Sequence, residues 1–161
     1  MHRALASCDA DRMASPRLLI GRCSAPGHWY VVTTVTHARN PLFLGQDAAN
    51  AVIQEMQRCH AEGWLRSTAW VVMPDHLHWM FALGAQQRLS RCVQAMKSRS
   101  ARMISAPAPV WQPGYYDHRI HDERDLCRQA EYLLANPVRL GLTQRIGEYP
   151  YAWSQWHTHA P

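Results

Sequence analysis

Two strand-like runs separated by only two residues constrain the fold of this chain more than any other feature. Residues 68–73 and 76–83 are rich in β-branched, aromatic and other apolar side chains, and Pro74-Asp75 between them is typical of a turn. A link this short joins antiparallel neighbours only, because parallel strands need a long crossover connection. The chain is therefore predicted to contain a β-hairpin and, with it, an antiparallel sheet.

Further strand and helix patterns surround the hairpin. Residues 29–36 are β-branched and aromatic, and residues 115–120 follow the turn dipeptide Pro113-Gly114, so each range predicts a strand. Helical periodicity is found at residues 47–62, 86–104 and 122–135. The order strand, helix, strand, strand, helix, strand, helix predicts an α+β protein. Its architecture would be a ferredoxin-like antiparallel sheet with helices on one face and an added C-terminal helix.

The ends of the helices are also marked in the sequence. Asp47 and Asp122 each precede a helical segment and are predicted N-caps, and Gly63 closes the first helix. The dipeptide Asn136-Pro137 is expected to stop the last helix near Ala135, because a residue that precedes proline avoids the helical region.

The length of 161 residues suits one domain. We expect that domain at residues 28–142, after a poorly ordered leader at residues 1–27 and before a C-terminal tail at residues 143–161. Apolar residues make up 47% of the chain and charged residues 18%, which excludes a disordered or fibrous protein. The longest apolar runs are too short to span a bilayer, which takes about 20 residues, so no membrane partner is expected.

The cysteines indicate the redox environment. There are 5 of them, and no two have the C-x-x-C spacing that is typical of zinc sites and redox motifs. An odd number of widely spaced cysteines predicts reduced thiols. No N-terminal segment resembles a targeting signal. We therefore expect a cytoplasmic protein.

The charge balance favours a polyanionic partner. The formal net charge is +5, and among the 17 Lys and Arg residues only Lys97 is a lysine. The planar guanidinium of arginine binds phosphate with two hydrogen bonds and stacks on bases. A GC-rich genome produces the same bias through its codons, so nucleic-acid binding and a plain soluble domain both stay open at this point.

His76 and His78 are the first candidates for a chemical site. They stand two positions apart in a predicted strand, where side chains alternate between faces, so both imidazoles project from one face. Two imidazoles on one face form half of a metal site. The alternative is a pair of half-buried structural histidines. The same spacing recurs at His157 and His159 in the tail, where we expect exposure to solvent.

The last helix carries a polar stripe that is separate from its core side. At about 100 degrees per residue, one side of this helix is apolar and is expected to face the core. That side consists of Leu126, Ala130, Leu133 and Leu134. Tyr132 and Asn136 lie on the polar stripe, one turn apart, and are therefore neighbours. Tyr132 is either a nucleophile beside a carbonyl ligand for a metal or an ordinary surface tyrosine.

The helix at residues 86–104 carries a positively charged face, and no Asp or Glu occurs from His76 through Tyr116. Such a face beside a metal-bearing strand would attract a phosphate backbone, although a solvated helix face has the same composition. The arginines of this face are Arg88, Arg91, Arg99 and Arg102. The aromatic residues that follow either stack on exposed bases or pack in the core; they are Trp111, Tyr115 and Tyr116.

Three motifs together resemble a known family. Residues 70–78, WVVMPDHLH, resemble the histidine–hydrophobic–histidine motif of the HUH tyrosine nucleases. Residues 111–118, WQPGYYDH, and residues 131–139, EYLLANPVR, resemble the REP-associated tyrosine transposases, which are related to the smallest bacterial insertion-sequence transposases. The resemblance extends from about Trp29 to Leu142 and does not include the leader.

The resemblance implies both a fold and a function. The family has the ferredoxin-like fold, its metal-binding histidines match His76 and His78, and its nucleophile matches Tyr132 on the C-terminal helix. A polar residue that helps to hold the metal matches Asn136. Family members use a divalent cation to cleave single-stranded DNA at palindromic repeat hairpins, and the implied mechanism passes through a covalent 5′-phosphotyrosine that allows rejoining. Two imidazoles and an amide oxygen suit Mn²⁺, or Mg²⁺ with phosphate oxygens completing its shell. The implied partner is single-stranded DNA, in hairpins of the REP type. The oligomeric state stays open between a monomer and a dimer.

Three other functions stay open on the sequence alone. One is a protein of the same fold that binds single-stranded DNA or hairpins without cutting them. Another is a zinc-dependent hydrolase or structural zinc domain that uses His76, His78 and His118. A third is an RNA-binding domain, although the strand aromatics lack the pattern of that class.

Overall fold

The structure is a computed structural model, and it describes residues 24–156. Most of the predicted leader, and the histidines at 157 and 159, lie outside the described residues. The strands are β1 (Trp29–Val35), β2 (Leu65–Met73), β3 (His76–Leu83), β4 (Tyr116–Ile120) and β5 (Ala152–Ser154). The helices are α1 (Gln46–Ala61), α2 (Leu89–Met103) and α3 (Glu123–Arg139). The predicted order of elements is confirmed.

The five strands form one antiparallel sheet in the order β4-β1-β3-β2-β5. The predicted hairpin lies near its centre, with Met73 paired to His76 across the turn. Strand β2 begins at Leu65, three positions before the predicted start at Thr68, and a bulge interrupts its register between Ser67 and Ala69. The bulge breaks the strict alternation on which the prediction of the strand start depends.

Helices cover both faces of the sheet. Helices α1 and α2 pack on one face over a core that includes Val32, Trp79 and Phe81. Helix α3 packs on the opposite face, where Leu133 and Leu134 meet a smaller apolar cluster of the central strands. The first two helices thus share one face as predicted, and the added C-terminal helix covers the other.

The ends of the helices differ from the prediction at two places. Helix α1 begins at Gln46 with Gly45 as its N-cap, so Asp47 lies in the first turn and is not the cap. Asp122 does cap α3, and its carboxylate accepts a hydrogen bond from the backbone N of Asp125. Helix α3 does not stop before Pro137 but continues to Arg139. Proline removes one backbone donor of this helix, and the helix continues for two residues beyond it.

The tail contributes an unpredicted edge strand. Strand β5 pairs with β2 through Ala69, Trp70 and Val71, and the Trp153 ring stacks on the Trp70 ring with centroids 4.5 Å apart. Three residues are too short for a periodic pattern, so the sequence carries no signal for this strand. Within the part of the chain that the structure describes, no helix has both the length and the apolar character required to span a membrane.

Candidate functional site

His76 and His78 project together from the face of β3 that helix α3 covers. Their ring centroids lie 4.9 Å apart, with the rings nearly perpendicular. The Nδ1 atom of His78 lies 2.7 Å from the Thr33 hydroxyl, and the Nδ1 atom of His76 lies 2.6 Å from Asp75 Oδ1. With both Nδ1 atoms engaged, the Nε2 atoms are the ones available to a ligand, which is the arrangement found around metal-binding histidines.

Two charged side chains, Asp75 and Arg39, hold the His76 ring in place. Arg39 donates to Asp75 Oδ2 over 3.1 Å, while the other carboxylate oxygen bonds His76. Burial alone would raise the pKa of the Asp75 carboxyl, but hydrogen bonds from His76 and Arg39 outweigh it and lower the pKa below its ordinary value. Asp75 therefore stays ionised and orients His76 with its proton on Nδ1.

His78 is kept neutral by its surroundings. Burial, together with the nearby His76 and Arg139, lowers its pKa from 6.5 to about 4. A neutral imidazole has a lone pair to offer a metal ion, whereas an imidazolium has none. At neutral pH His78 is therefore in the protonation state that a metal ligand requires.

Helix α3 brings Tyr132 to the same place. The Tyr132 side chain is 51% exposed, as its position on the polar stripe predicts. It lines a pocket of about 290 Å³ between α3 and the sheet, and His78 lies in the wall of the same pocket. The remaining lining residues are Val31, Thr33, Tyr116, Asp117, His118, Gln129 and Leu133. A tyrosine hydroxyl and a neutral histidine thus face one cavity.

Arg139 completes this corner of the site and is missing from the sequence-based set. Its guanidinium lies 4.3 Å from the centre of the Tyr132 ring, and its Nη2 lies 3.4 Å from the hydroxyl. Positions seven apart share a helix face, so the spacing itself was visible in the sequence. The sequence analysis missed Arg139 because it expected the helix to stop before Pro137, which would leave Arg139 outside the helix.

Asn136 lies one turn after Tyr132 but is buried at 7% exposure. Within residues 24–156 its side-chain Nδ2 has no hydrogen-bond partner. The described lining of the Tyr132 pocket includes neither Asn136 nor His76. Two imidazole nitrogens and an amide oxygen form a donor set that suits Mn²⁺, or Mg²⁺ with phosphate oxygens completing its shell. The donor chemistry of these three residues therefore suits the divalent cation that the family resemblance implies.

A second polar cluster borders the pocket, and it is centred on Asp125. The Asp125 carboxylate is buried and lies 2.9 Å from His118 Nε2. It also accepts hydrogen bonds from the backbone N of His121, from Arg128 and from Gln129. The hydrogen bond with His118, helped by the other donors, holds the pKa of Asp125 well below its usual range. This carboxylate is therefore a permanent anion beside the His118 imidazole.

The predicted arginine face does not border this site. Helix α2, which carries it, packs on the opposite face of the sheet from His78 and Tyr132. Arg99 lies 3.8 Å from Glu55 and 3.5 Å from Glu62, and its guanidinium lies over the Trp64 ring. The prediction of a one-signed face is therefore wrong at Arg99, because acidic residues of α1 and its C-terminal end lie against it. The other three arginines of the set are exposed; they are Arg88, Arg91 and Arg102.

The three aromatic candidates have different surroundings. Trp111 is 7% exposed, packs against Phe43 and donates its indole N–H to Ser100 Oγ, so the prediction that it stacks on bases is corrected. Tyr115 is half-buried at a cleft beside α2. Tyr116 is 60% exposed and lines the Tyr132 pocket. Only Tyr116 of this set lies at the candidate site.

The interpretation of the histidines as a zinc site is not supported by the geometry. Among residues 24–156, no three His, Cys, Asp or Glu side chains are arranged so that they could hold a metal ion together. His118 is engaged by Asp125 and does not complete a triad with His76 and His78.

Comparison with known proteins identifies relatives of the chain. It is 24% identical over 129 residues to the REP-associated tyrosine transposase of Escherichia coli (strain K12), covering 78% of this chain and 75% of the relative. It is 25% identical over 103 residues to a similarly named protein of Haemophilus influenzae, covering 53% of this chain and 57% of the relative. These similarities confirm the resemblance drawn from the motifs.

A solved structure described as a REP-associated tyrosine transposase bound to a REP hairpin superimposes with a TM-score of 0.72, at 20% identity over 81% of this chain and 79% of the other. At that identity the match establishes the fold. The family model "Transposase IS200 like" matches residues 24–132, more than half of the chain and up to the candidate nucleophile. The chain therefore belongs to the IS200-like transposase family.

Proposed function

We propose that the chain is a DNA transesterase that cleaves and rejoins single-stranded DNA at palindromic repeat hairpins, with Tyr132 as its nucleophile. One observation carries the proposal. The exposed hydroxyl of Tyr132 and the neutral imidazole of His78 line one pocket, and Arg139 lies against the tyrosine ring. A phenol, a neutral imidazole and a guanidinium, the groups that such a reaction needs, therefore lie close together.

The reaction follows from the chemistry of a phenol next to a phosphodiester. Tyr132 Oη attacks the phosphorus, the bond to the 3′ oxygen breaks, and the 5′ phosphate stays on the protein. Because the phosphotyrosine keeps the phosphate in a diester linkage, a 3′ hydroxyl reverses the step and reseals the strand. Arg139, beside the hydroxyl, stabilises negative charge on the phenol oxygen and on the entering phosphate.

His76 and His78, with Asn136, would hold the divalent cation. The ion, Mg²⁺ or Mn²⁺, would act as a Lewis acid on the phosphoryl oxygens when bound. The Asp75 and Thr33 contacts keep both imidazoles oriented with Nε2 toward a ligand. Asn136 would bind the cation through Oδ1, while its Nδ2 atom, which lacks a hydrogen-bond partner within residues 24–156, would donate to a phosphate oxygen.

The proposed DNA partner follows from the relatives. A relative of this fold was solved with a REP hairpin bound, and we assign the same class of DNA to this chain. Tyr116 would stack on a base near the scissile phosphate, since it lines the pocket and is 60% exposed. The other proposed DNA contacts lie away from the pocket; they are Arg88, Arg91, Arg102 and Tyr115.

The proposal is tested by incubating the full-length protein with end-labelled single-stranded hairpin DNA and Mn²⁺. We expect cleavage by the wild-type protein, and loss of cleavage with hairpin binding retained within a few fold in His76→Ala and in His78→Ala. The matched control is the double variant His157→Ala, His159→Ala, which removes the same H-x-H spacing from the tail and should still cleave. Hairpin binding without cleavage by the wild-type protein would instead support a non-cutting binder.

A further inference from the structure

A nucleophilic tyrosine must lose its proton as it attacks, and its immediate neighbour cannot take it. Arg139 remains protonated in proteins, so it stabilises a phenolate without serving as a base. Gln129 has no basic atom. The imidazole of His78 is assigned to the metal in the proposed function. The other proton acceptors in the described lining of the Tyr132 pocket are Asp117 and His118, and an imidazole is a stronger base than a carboxylate.

The environment of His118 sets its tautomer. The ionised Asp125 carboxylate can only accept, so His118 Nε2 donates to it across 2.9 Å. In the neutral ring the proton is then on Nε2, and the Nδ1 lone pair is the acceptor. The hydrogen bond that the structure shows for the His118 ring uses Nε2 and leaves Nδ1 out. The His118 side chain is 48% exposed, so water and a substrate can reach it.

The Asp125 carboxylate is held in place more firmly than an exposed carboxylate would be. Its side chain is only 6% exposed, and bonds from Arg128, Gln129 and the His121 backbone hold it in place. A buried carboxylate behind an imidazole orients the ring and stabilises the imidazolium that forms when the ring accepts a proton. Both features are what a general base requires.

We propose that His118 is the general base that activates Tyr132, with Asp125 as its positioning residue; this inference rests on the proposed function. The Tyr132 proton passes to His118 Nδ1, directly or through one water, as the bond from Oη to phosphorus forms. The bond from phosphorus to the 3′ oxygen breaks, and the leaving oxygen takes a proton from solvent. In the rejoining step the imidazolium returns its proton to the phenol oxygen, and the 3′ hydroxyl gives up its proton to solvent.

The test measures the single-turnover rate of adduct formation on labelled single-stranded hairpin DNA, at saturating Mn²⁺ and across a range of pH. His118→Gln should slow the reaction about 100-fold, within the range typical of a lost general base. The rate of the His118→Gln variant should rise about tenfold for each unit by which the pH is raised. The wild-type rate should instead reach a plateau as the pH is raised. Other titratable or charged groups of β3, β4, α3 and the turn before α3 surround this site. They are His78, Tyr116, Asp117, His121, Asp125, Arg128, Tyr132 and Arg139.

Two further variants separate proton transfer from structure. Free imidazole should restore adduct formation by His118→Ala at least tenfold, which repair of folding would not explain. Asp125→Asn should show the pH profile of His118→Gln without rescue by imidazole, because an amide can donate to Nε2 and leave the proton on Nδ1. His60→Gln is the matched control, since His60 is an exposed histidine of α1, on the opposite face of the sheet, and this variant should react at the wild-type rate.

The outcomes distinguish this inference from the proposed function. Adducts formed by His118→Gln at the wild-type rate and with the wild-type pH profile would overturn the role of His118 and leave Tyr132 as the nucleophile. A slow His118→Ala variant that imidazole does not restore would also overturn it. The absence of any adduct in the wild-type protein would overturn the proposed function and this inference with it.

Discussion

Arg139 lies over the ring of Tyr132, with its guanidinium carbon 4.3 Å from the ring centre and its Nη2 3.4 Å from the hydroxyl. The two residues are two helical turns apart, on opposite sides of Pro137 in the sequence. The contact therefore depends on the last turn of α3 remaining helical beyond the proline. It places a permanent positive charge next to an exposed hydroxyl whose side chain shares a pocket with His78.

The first prediction concerns this charge. Arg139→Gln should lower the rate of adduct formation about tenfold, which is about 1.4 kcal/mol of activation free energy. The reason is the loss of a cation from the oxygen that becomes negative during the attack. The matched control is Arg145→Gln, since Arg145 is an exposed arginine paired with Glu148 outside the pocket. Equal rates of adduct formation for the two variants would contradict the role of Arg139 in stabilising this charge.

The second prediction concerns the dependence of stability on pH. The folded-state pKa of His78 is about 4, below the ordinary value of 6.5, so the unfolded chain binds this proton more readily. Stability should therefore fall as the pH drops from about 6.5 towards 4. From pH 7 to pH 5 the loss due to His78 should be about 2 kcal/mol.

Urea unfolding of the wild type and of His78→Asn at pH 7 and pH 5 checks this prediction. The difference between the two pH values should shrink in the variant, because asparagine does not titrate. The comparison stays above pH 4.5 because Asp125, with its lowered pKa, adds its own loss of stability only at lower pH. An unchanged difference in the variant would refute the account of His78.

The third prediction concerns the arginines of α2. Arg99 lies between Glu55 and Glu62, and the Glu55 side chain is 7% exposed. Removing the Arg99 guanidinium leaves the buried Glu55 carboxylate with less positive charge to offset the cost of its burial. Arg99→Ala should therefore lower the free energy of unfolding by about 1–3 kcal/mol. Arg102→Ala, at an exposed position of the same helix, should stay within about 0.5 kcal/mol. Urea unfolding of both variants at neutral pH measures the contrast, and equal losses would contradict it.

Local patterns account for most of the fold. The hairpin, the three helices and strands β1 and β4 follow from alternation, turn dipeptides and helical periodicity, which depend on neighbours in the sequence. The position of His76 and His78 on one face follows from the same alternation. The helical wheel likewise separates Tyr132, which is exposed, from Leu133, which is buried.

The remaining features depend on contacts distant in the sequence. The face on which α2 packs decides that its arginines lie away from the histidines, and nothing in the helix itself specifies that face. Arg99 meets Glu55 of another helix, and a pattern within α2 cannot show that contact. His118 and Asp125 come together between β4 and α3 because the chain turns between them, so neither residue stands out alone. Pro137 is a stop signal by local rules, yet the helix passes through it.

The central claim is that Tyr132 is the nucleophile. The first test removes the Tyr132 hydroxyl. Tyr132→Phe deletes one exposed oxygen, so its unfolding free energy should lie within about 0.5 kcal/mol of the wild type. The variant should form no covalent adduct, because no other described tyrosine combines exposure with a place beside both His78 and Arg139. Tyr116→Phe is the matched control, an exposed tyrosine of the same pocket that should still form the adduct.

The most direct measurement locates the adduct itself. The wild-type protein is reacted with labelled single-stranded hairpin DNA and Mn²⁺, digested with trypsin, and the DNA-linked peptide is identified by mass spectrometry. We expect the peptide from residue 129 to residue 139, which contains Tyr132 between two arginine cleavage sites. An adduct on the peptide from residue 103 to residue 119, which carries Tyr115 and Tyr116, would contradict the assignment of Tyr132 as the nucleophile.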